Sequence, residues 1–217
     1  MKLKHILFTS VAVLALGTAN ADDLKVKITN DISSVTVKHN GKDVTIQRIQ
    51  DNNNMVNPAF AKTSRNCPPF CINPMSLAPG VETLGEVEVL DYLKKMSDGD
   101  NSILVVDSRT PDWVARGTIP GAVNIPWTKL NPAKGADPLS MAEIITGQFG
   151  AKETSEENVF DYANAKTLVM FCNGMWCGQS PNNIKNLLKL NYPAEKIKWY
   201  RGGMQNWENL GLTTVKP

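Results

Sequence analysis

Histidine is almost absent from this chain, which has only His5 and His39 among its 217 residues. His5 lies in an N-terminal leader, and His39 lies beside a turn, where a solvated strand-end residue is the simplest interpretation. This scarcity argues against a Ser-His or Cys-His catalytic triad and against a multi-histidine metal site. A glycine-rich phosphate loop, a repeat and a recognisable metal-ligand spacing are also missing, so the sequence predicts no cofactor and no metal.

An excess of charge of either sign is missing as well. The full chain has 23 basic and 21 acidic residues. Because Lys2 and Lys4 lie in the leader, which holds no acidic residue, 21 residues of each sign remain beyond it. A neutral chain offers no basic surface for nucleic acid or an anionic membrane. With 42% hydrophobic and 20% charged residues, the composition predicts an ordinary globular protein and excludes a disordered or collagen-like one.

Long apolar runs are scarce, and the most prominent one lies at the N-terminus. It extends from Ile6 to Ala15, follows two lysines and precedes Ala19-Asn20-Ala21. The run is too short to span a bilayer, and the order of features is typical of a secretory signal peptide. The alternatives are an uncleaved anchor and a core helix. We expect residues 1–21 to be a signal peptide cleaved after Ala21, and the mature protein to be periplasmic, without a membrane span and in an oxidising compartment.

Three segments follow the leader. Residues 22–66 predict a small β-rich module, because apolar and polar residues alternate on both sides of Asn40-Gly41, a strong hairpin signal. Residues 67–80 predict a proline-rich arm or linker that begins with Cys67-Pro68-Pro69-Phe70-Cys71. Residues 81–217 predict a separate α/β domain.

In the α/β domain, predicted helices and strands alternate. The strands are short apolar runs of the kind that is buried on both faces: Ile103–Val106, Leu168–Phe171 and Ile197–Tyr200. The helices begin at capping boxes or at an early proline: Thr83-x-x-Glu86, Thr110-Pro111, Ser140-x-x-Glu143 and Ser180-Pro181. The first helix should bury Val87, Leu90, Leu93 and Met96, and the last should bury Ile184, Leu187 and Leu188. The alternation predicts a mainly parallel central sheet flanked by helices, with ligand sites at the carboxyl ends of its strands.

Cys172 lies at such a strand end. The following loop, Asn173-Gly174-Met175-Trp176-Cys177-Gly178-Gln179, leads into the helix at Ser180. A loop that enters a helix N-terminus presents backbone N–H groups and the positive end of the helix dipole, which lower a cysteine pKa and stabilise an anion. The alternative is a buried structural cysteine, because free cysteines are often part of a core.

Three motifs around this cysteine resemble signatures of the rhodanese superfamily. They are Val106-Asp107-Ser108-Arg109, the segment from Gly117-Thr118-Ile119-Pro120-Gly121 to Asn124, and Arg201-Gly202-Gly203 with Trp207. They occur in the family's order around a strand-loop cysteine, from about Val81 to the C-terminus, and leave residues 22–80 uncovered. The resemblance implies a rhodanese-like domain of the exported single-domain type with an N-terminal extension.

The resemblance also implies a sulfurtransferase. The Cys172 thiolate would take a sulfane sulfur from a small donor, hold it as a persulfide stabilised by the loop amides, and pass it to a thiol or protein acceptor. Asp107 and Arg109 would support the loops as a structural ion pair, with direct catalysis as the alternative. Thr118 stands where the family usually has a histidine of mainly structural importance.

The loop departs from the family pattern in its charge. The loop is longer than in simple sulfurtransferases. It has no Lys or Arg to bind the thiosulfate dianion. In addition, Gly178-Gln179 stands where related phosphatases need an arginine. Met175 and Trp176 make its rim apolar. We therefore expect polysulfide or a persulfide to be a better donor than thiosulfate, and phosphatase activity to be absent. Arg201 is the best remaining local cation, unless it is merely a surface residue at a strand end.

Cys177 allows two other classes of function. As a resolving thiol it could attack the persulfide, release sulfide and leave a Cys172–Cys177 disulfide. The sequence Trp176-Cys177-Gly178 also resembles the Trp-Cys-Gly of thioredoxin-like enzymes, although a Cys-x-x-Cys is missing. A periplasmic thiol-disulfide oxidoreductase and a non-catalytic module that binds polysulfide or a redox partner therefore stay open.

Cys67 and Cys71 could be redox-active or structural. In a polyproline-like arm, four steps of about 3.1 Å would place their Cα atoms roughly 12 Å apart. A disulfide needs less than about 7 Å, so it would require a sharp turn, for example through a cis X-Pro bond. We expect instead a docked arm with Phe70 as its apolar anchor and two buried thiols. A relay of sulfur or oxidising equivalents to the Cys172 loop is the functional alternative.

Overall fold

The protein is described by a computed structural model that covers residues 24–156 and 159–217. The predicted signal peptide, residues 1–21, lies outside the described residues. Among the described residues, the helices are all too short or too polar to cross a membrane.

A five-stranded parallel sheet forms the centre of the molecule, in the order β3–β9–β8–β4–β5. The strands are β1 Ser34–His39, β2 Lys42–Gln47, β3 Glu82–Leu84, β4 Ile103–Asp107, β5 Val123–Asn124, β6 Lys152–Glu153, β7 Phe160–Asp161, β8 Thr167–Phe171 and β9 Ile197–Tyr200. The helices are α1 Glu86–Ser97, α2 Pro111–Val114, α3 Pro138–Glu143, α4 Gln179–Lys189 and α5 Gly203–Asn209. Shorter 3₁₀ and π turns connect them, and β6 and β7 form a small antiparallel pair.

Both faces of the sheet are covered, which explains why its central strands have continuous apolar sequences. Leu104 and Val106 of β4 pack into one apolar cluster with α4, and Val105 packs into a second cluster with α1 and α5. Strand β8 divides its side chains in the same way between the two clusters. The predicted α/β fold, with a helix-flanked parallel sheet and a preceding β-hairpin, is confirmed.

The N-terminal hairpin of β1 and β2 is packed against the domain. Its turn has the expected sequence, with Asn40 and Gly41 both at positive φ. Val37 and Ile46 are buried in the same apolar cluster as α1. His39 is the last residue of β1, as expected. It is half-buried, and its Nδ1 accepts a hydrogen bond of 3.1 Å from the Gly121 N–H, so it is less solvated than expected.

The capping box predicted at Thr83 is wrong. Thr83 lies in β3, where its hydroxyl donates to the Met75 carbonyl at 2.6 Å. Helix α1 begins after Gly85, whose N–H donates to the Glu88 carboxylate at 3.1 Å. Leu90 and Leu93 are buried as predicted and Met96 is half-buried. Val87 is exposed, and Val89 is buried in its place, on the helix face that packs against the sheet.

Two other helix starts also differ from the prediction. Asp137 caps α3 by accepting from the Ser140 N–H at 2.9 Å, so Ser140 lies inside the helix and is not its cap. Helix α4 begins at Gln179, one residue before Ser180, and buries Ile184 and Leu187 but only half-buries Leu188. The helix predicted at Thr110-Pro111 begins as expected.

The expectation about Cys67 and Cys71 is wrong as well. The two residues form a disulfide, with their Cα atoms 4.6 Å apart. The arm does not follow the extended polyproline geometry here, because the chain turns back and the Phe70 N–H donates to the Asn66 carbonyl at 3.0 Å. The Cys67-Pro68 and Pro68-Pro69 peptide bonds are both cis.

Candidate active site

Cys172 is the first residue after β8, and its loop returns to the N-terminus of α4. The Cys172 carbonyl accepts from the Met204 N–H at 3.0 Å, which joins the loop to α5. Gly203, at φ +56°, allows this approach, because a Cβ at this position would collide with the Cys172 carbonyl. Adjacent strand ends therefore meet at the cysteine, as the parallel topology requires.

The Cys172 sulfur accepts a hydrogen bond from one side chain. The Ser180 hydroxyl donates to Sγ at 3.1 Å and itself accepts from the Trp199 Nε1–H at 3.2 Å. The Cys172 thiol in turn donates to the Cys177 carbonyl at 3.4 Å. Burial by itself would raise the pKa of Cys172. The side chains of Cys177 and Ser180 and the backbone N–H groups of Ser180 and Gly174 outweigh burial and lower the pKa of Cys172 to about 7.

Cys177 is the partner thiol of Cys172. Its burial, together with its hydrogen bond to Cys172 and the charge of that residue, raises the pKa of Cys177 well above the ordinary range. The proton therefore stays on Cys177, which can donate to a thiolate at Cys172. Both cysteines are free and buried.

Asp107 and Arg109 form a buried ion pair beneath the site, with Nη2 and Oδ2 2.6 Å apart. The guanidinium also donates to the carbonyls of Gly117 at 2.7 Å and Trp113 at 3.3 Å. Thr118 donates to the Asp107 carboxylate at 2.7 Å, in place of the family's histidine. These contacts hold the loops after β4 together, which suits the structural role over the catalytic one.

Arg201 does not lie with the thiols. Its guanidinium donates to the backbone carbonyls of Asn73, at 2.8 Å, and Pro74, at 3.2 Å. The cation that the sequence offered as the local donor-binding charge therefore holds the arm.

The arm, residues 67–80, lies on the Cys172 loop. The Asn73 N–H donates to the Met175 carbonyl at 2.8 Å, and the Asn73 side-chain amide donates to the carbonyls of Met175 and Cys177, each at 3.0 Å. Phe70 meets Trp176 edge to face, with ring centroids 5.7 Å apart. The docked arm with Phe70 against the loop is observed, although its cysteines are oxidised.

A cavity of about 350 Å³ lies between the arm and the loop. We call it the aromatic cavity, because Phe70, Trp113, Trp127 and Trp176 are among its walls; Arg65, Asn173, Cys177, Gly178 and Gln179 also line it. Cys177 is among the residues that line this cavity, and Cys172 is not. Sequence reasoning missed Asn73 and Arg65, since neither belongs to a motif or lies near the cysteine in the chain.

Metal-binding potential is low in the part of the chain that the structure describes. No three His, Cys, Asp or Glu side chains come together there in a way that could hold a metal ion.

Several solved structures are similar to this chain. A thiosulfate sulfurtransferase from Pseudomonas aeruginosa is 18% identical with a TM-score of 0.39, over 63% of this chain and 20% of that one. The human single-domain sulfurtransferase is 21% identical with a TM-score of 0.34, over 60% of this chain and 96% of that one. A polysulfide-sulfur transferase homodimer from Wolinella succinogenes is 18% identical with a TM-score of 0.37, over 65% and 82% of the two chains. No curated protein matches the sequence.

A family model gives the assignment. The model of the rhodanese-like domain matches residues 89–210, more than half of the chain. The matched span holds Cys172, the Asp107–Arg109 pair, the segment with Thr118 and the Gly202-Gly203 turn, which the fold brings to one edge of a parallel sheet. By this match and by the geometry around Cys172, the chain belongs to the rhodanese-like domain family.

Proposed function

We propose that this chain is an exported sulfurtransferase that forms a persulfide on Cys172 and passes the sulfane sulfur to a thiol or protein acceptor. The observation that carries the proposal is the hydrogen bond of 3.1 Å from the Ser180 hydroxyl to the sulfur of Cys172 at the end of β8, in a loop that lowers the pKa of this thiol to about 7. A thiolate is the nucleophile that sulfur transfer requires, and the same hydrogen bond suits a persulfide anion.

The first half-reaction needs only the thiolate. The Cys172 sulfur attacks the outer sulfur of a sulfane donor, a sulfur–sulfur bond forms, and the donor's remainder leaves with the electron pair of the broken bond. In the second half-reaction an acceptor thiolate attacks the outer sulfur of the persulfide, which returns Cys172 as a thiolate.

Cys177 suits the role of resolving thiol. Because Cys177 keeps its proton, it can donate to the Cys172 persulfide without competing for the donor. If it attacks the inner sulfur, a Cys172–Cys177 disulfide forms and hydrosulfide leaves with the Cys177 proton. We propose that this side reaction limits the lifetime of the persulfide when no acceptor is present.

Export to the periplasm is part of the proposal. The leader supports it, and so does the Cys67–Cys71 disulfide, since disulfides persist in oxidising compartments.

Mass spectrometry of the purified protein tests the proposal. After separate exposure to polysulfide and thiosulfate, we expect one added sulfur on Cys172, with polysulfide loading faster. Cys172→Ser should abolish loading, and full loading of that variant would end the proposal. Cys177→Ser should still load and should release less sulfide without added thiol. Because Cys177 lines the aromatic cavity and Cys172 does not, loss of loading in Cys177→Ser would reverse the two assignments.

A thiol-disulfide oxidoreductase is the second candidate, favoured by the contact between the two free cysteines, since the Cys172 thiol donates to the Cys177 carbonyl at 3.4 Å. Oxidised glutathione distinguishes the two functions. An oxidoreductase gains a Cys172–Cys177 disulfide, two hydrogen masses lighter, before any sulfur is added, whereas a sulfurtransferase is loaded by polysulfide first. A non-catalytic module would bind polysulfide without either mass change.

A further inference from the structure

The outer edge of strand β1 is open along part of its length. Among the described residues, β1 pairs only with β2, through a hairpin with the two-residue turn Asn40-Gly41. In such a hairpin every second residue directs its backbone N–H and C=O away from the partner strand, beginning with the second residue before the turn. On β1 these outward-facing residues are Lys38, Thr36 and Ser34.

Two observed hydrogen bonds support this alternation. The Lys38 N–H donates to the Ser97 hydroxyl at 2.7 Å, at the end of α1. On the outer edge of β2, the Gln47 carbonyl accepts from the Thr213 N–H at 3.0 Å. The backbone groups of Thr36 have the same outward orientation as those of Lys38, but no hydrogen bond joins them to a described residue. The edge of β1 is therefore covered at Lys38 and open at Thr36.

A groove lies beside this open edge. It is a cavity of about 850 Å³ between the first half of β1 and one face of α1, and we call it the β1 groove. Thr36, which is exposed, and Ser34, which is half-buried, both line it. A strand edge that faces a helix across a groove is a geometry that accepts an extended peptide as an added strand. The β1 groove is lined by residues 31–36 and by Val87, Glu88, Leu90, Asp91 and Lys94.

The apolar side chains of the groove determine the pattern of the peptide that fits it. Val35 and Leu90 line the groove from the side of the core, and Val87 is 43% exposed although it is an apolar residue of a helix. Side chains alternate between the two faces of a strand. On an added strand, every second side chain would therefore face these apolar residues and the others would face solvent.

The groove also has an excess of negative charge. Three carboxylates line it, those of Asp31, Glu88 and Asp91, and the last of these pairs with a lysine of its own helix. The one cation among the described lining residues, Lys94, is already paired with Asp98 at 2.6 Å. Asp31 is exposed and forms no ion pair in the described part of the chain. A basic side chain on the peptide would complement this charge.

We propose that the β1 groove binds an extended segment of a partner protein, in which apolar residues alternate with lysine or arginine, and that this segment adds to the open edge of β1 as a further strand. Backbone hydrogen bonds with Ser34 and Thr36 supply the affinity. The apolar wall around Val87 and the carboxylate of Asp31 select the side chains. The inference goes beyond the proposed function, because no residue of the Cys172 site takes part in it.

Binding of fluorescent peptides to the whole chain, followed by anisotropy, tests the proposal. The probe is the capped peptide Lys-Val-Lys-Val-Lys-Val, and its counterpart with glutamate in place of lysine is the charge control. We expect the basic peptide to bind and the acidic one to bind about tenfold more weakly or not at all. Two further forms of the basic peptide have methylated backbone nitrogens, at every valine or at every lysine. One form should bind like the parent peptide and the other should not bind, because only alternate N–H groups of an added strand face β1.

Variants of the protein test the same contacts. Thr36→Pro removes the outward N–H and spares the bonds between β1 and β2, so it should weaken binding of the basic peptide at least about tenfold. Thr45→Pro is the matched control, because Thr45 faces Thr36 across the hairpin and its N–H is directed to the other edge. It should change binding by less than about twofold. Asp31→Asn should weaken the basic peptide about two- to fivefold, and Asp112→Asn, outside the groove, should leave it unchanged.

Several results would overturn the proposal: no binding of the basic peptide, equal binding of the basic and acidic peptides, or an equal loss in Thr36→Pro and Thr45→Pro. If Thr36→Pro does not fold, the methylated peptides decide on the unaltered protein, and equal binding of the two forms would contradict the added strand. Sedimentation identifies the other occupant. A dimer that Thr36→Pro separates and the peptide does not displace would assign the edge to a second copy of the chain, against the proposal. Polysulfide loading of Cys172 should be the same in Thr36→Pro as in the parent, so the proposed function is tested separately.

Discussion

The thiol site and the aromatic cavity beside it are built in opposite ways. The family-matched domain builds the thiol site by itself, and its arginine, Arg109, has its donors directed to Asp107 and to backbone carbonyls. The cavity is completed by the N-terminal extension, and its arginine, Arg65, retains a buried donor with no acceptor in the described part of the chain. The guanidinium of Arg109 is therefore held by hydrogen bonds within the family domain, whereas that of Arg65 is held by stacking on Phe70 and Trp176. The family domain positions the two cysteines, and the extension packs on the loop that holds them.

The largest effect that this comparison predicts is on stability, at the buried ion pair of Asp107 and Arg109. Asp107→Ala should lower the free energy of unfolding by about 3–5 kcal/mol, because it leaves the buried Arg109 charge without its partner. Denaturant unfolding measures the change. Asp112→Asn, at an exposed position of α2, is the control and should change stability by less than about 0.5 kcal/mol. A loss below about 1 kcal/mol in Asp107→Ala would mean that Arg109 is not held as tightly as its contacts indicate.

Within the thiol site, Ser180→Ala should move the pH dependence of sulfur loading. The Ser180 hydroxyl stabilises the Cys172 thiolate, so its removal raises the pKa of Cys172 above the value of about 7. Loading requires the thiolate, and its rate rises as the pH passes through the pKa. We expect the midpoint to move upward by about one pH unit, with a rate about tenfold lower at pH 6 and rates that converge in alkali.

Iodoacetamide alkylation of Cys172, followed at the same pH values, separates this effect from a general loss of activity. If Ser180→Ala leaves both midpoints in place, the backbone N–H groups and Cys177 stabilise the thiolate without help from Ser180.

In the N-terminal extension, Asn73→Ala should loosen the contact between the arm and the Cys172 loop. It should leave the reactivity of Cys172 unchanged. The variant removes the side-chain bonds to the Met175 and Cys177 carbonyls but keeps the backbone bond to Met175. We expect KM for polysulfide to rise about three- to tenfold, since the two lost hydrogen bonds position the arm. The alkylation rate of Cys172 should stay within about twofold. A fall in the alkylation rate as large as the rise in KM would show that the arm also shapes the thiol site.

The smallest effect is expected from the disulfide. The double variant Cys67→Ser, Cys71→Ser removes a short cross-link, worth about 2 kcal/mol at this loop length, that orders only the arm. Turnover should fall by no more than about twofold if the disulfide is scaffolding. A loss of tenfold or more, with the arm still protected from proteolysis, would support the alternative in which the arm relays sulfur or oxidising equivalents to Cys172.

Local sequence patterns predicted correctly which strands and helices form. They were less accurate about the residue at which each helix begins. The β4 and β8 strands and the β1–β2 hairpin lie where apolar runs and Asn-Gly placed them, because burial on both faces and a tight turn leave strong local signals. The predicted capping boxes at Thr83 and Ser140 were wrong, since the same residue types also occur in strands and inside helices. Other local contacts begin those helices: the Gly85 N–H donates to Glu88, and Asp137, followed by Pro138, accepts from the Ser140 N–H.

The sequence by itself determined the family, the parallel sheet and the position of Cys172 at a strand end, because each depends on contiguous residues. Only the tertiary structure decided that Cys67 and Cys71 pair, that Arg201 binds the arm and that Arg65 lies over Trp176 beside Cys177. The last two contacts join residues that are distant in sequence, and the disulfide closes a turn, all through an irregular segment without a periodic pattern. Their positions follow from how the arm packs on the loop, and that packing is specified by backbone hydrogen bonds and aromatic contacts that no local pattern reports.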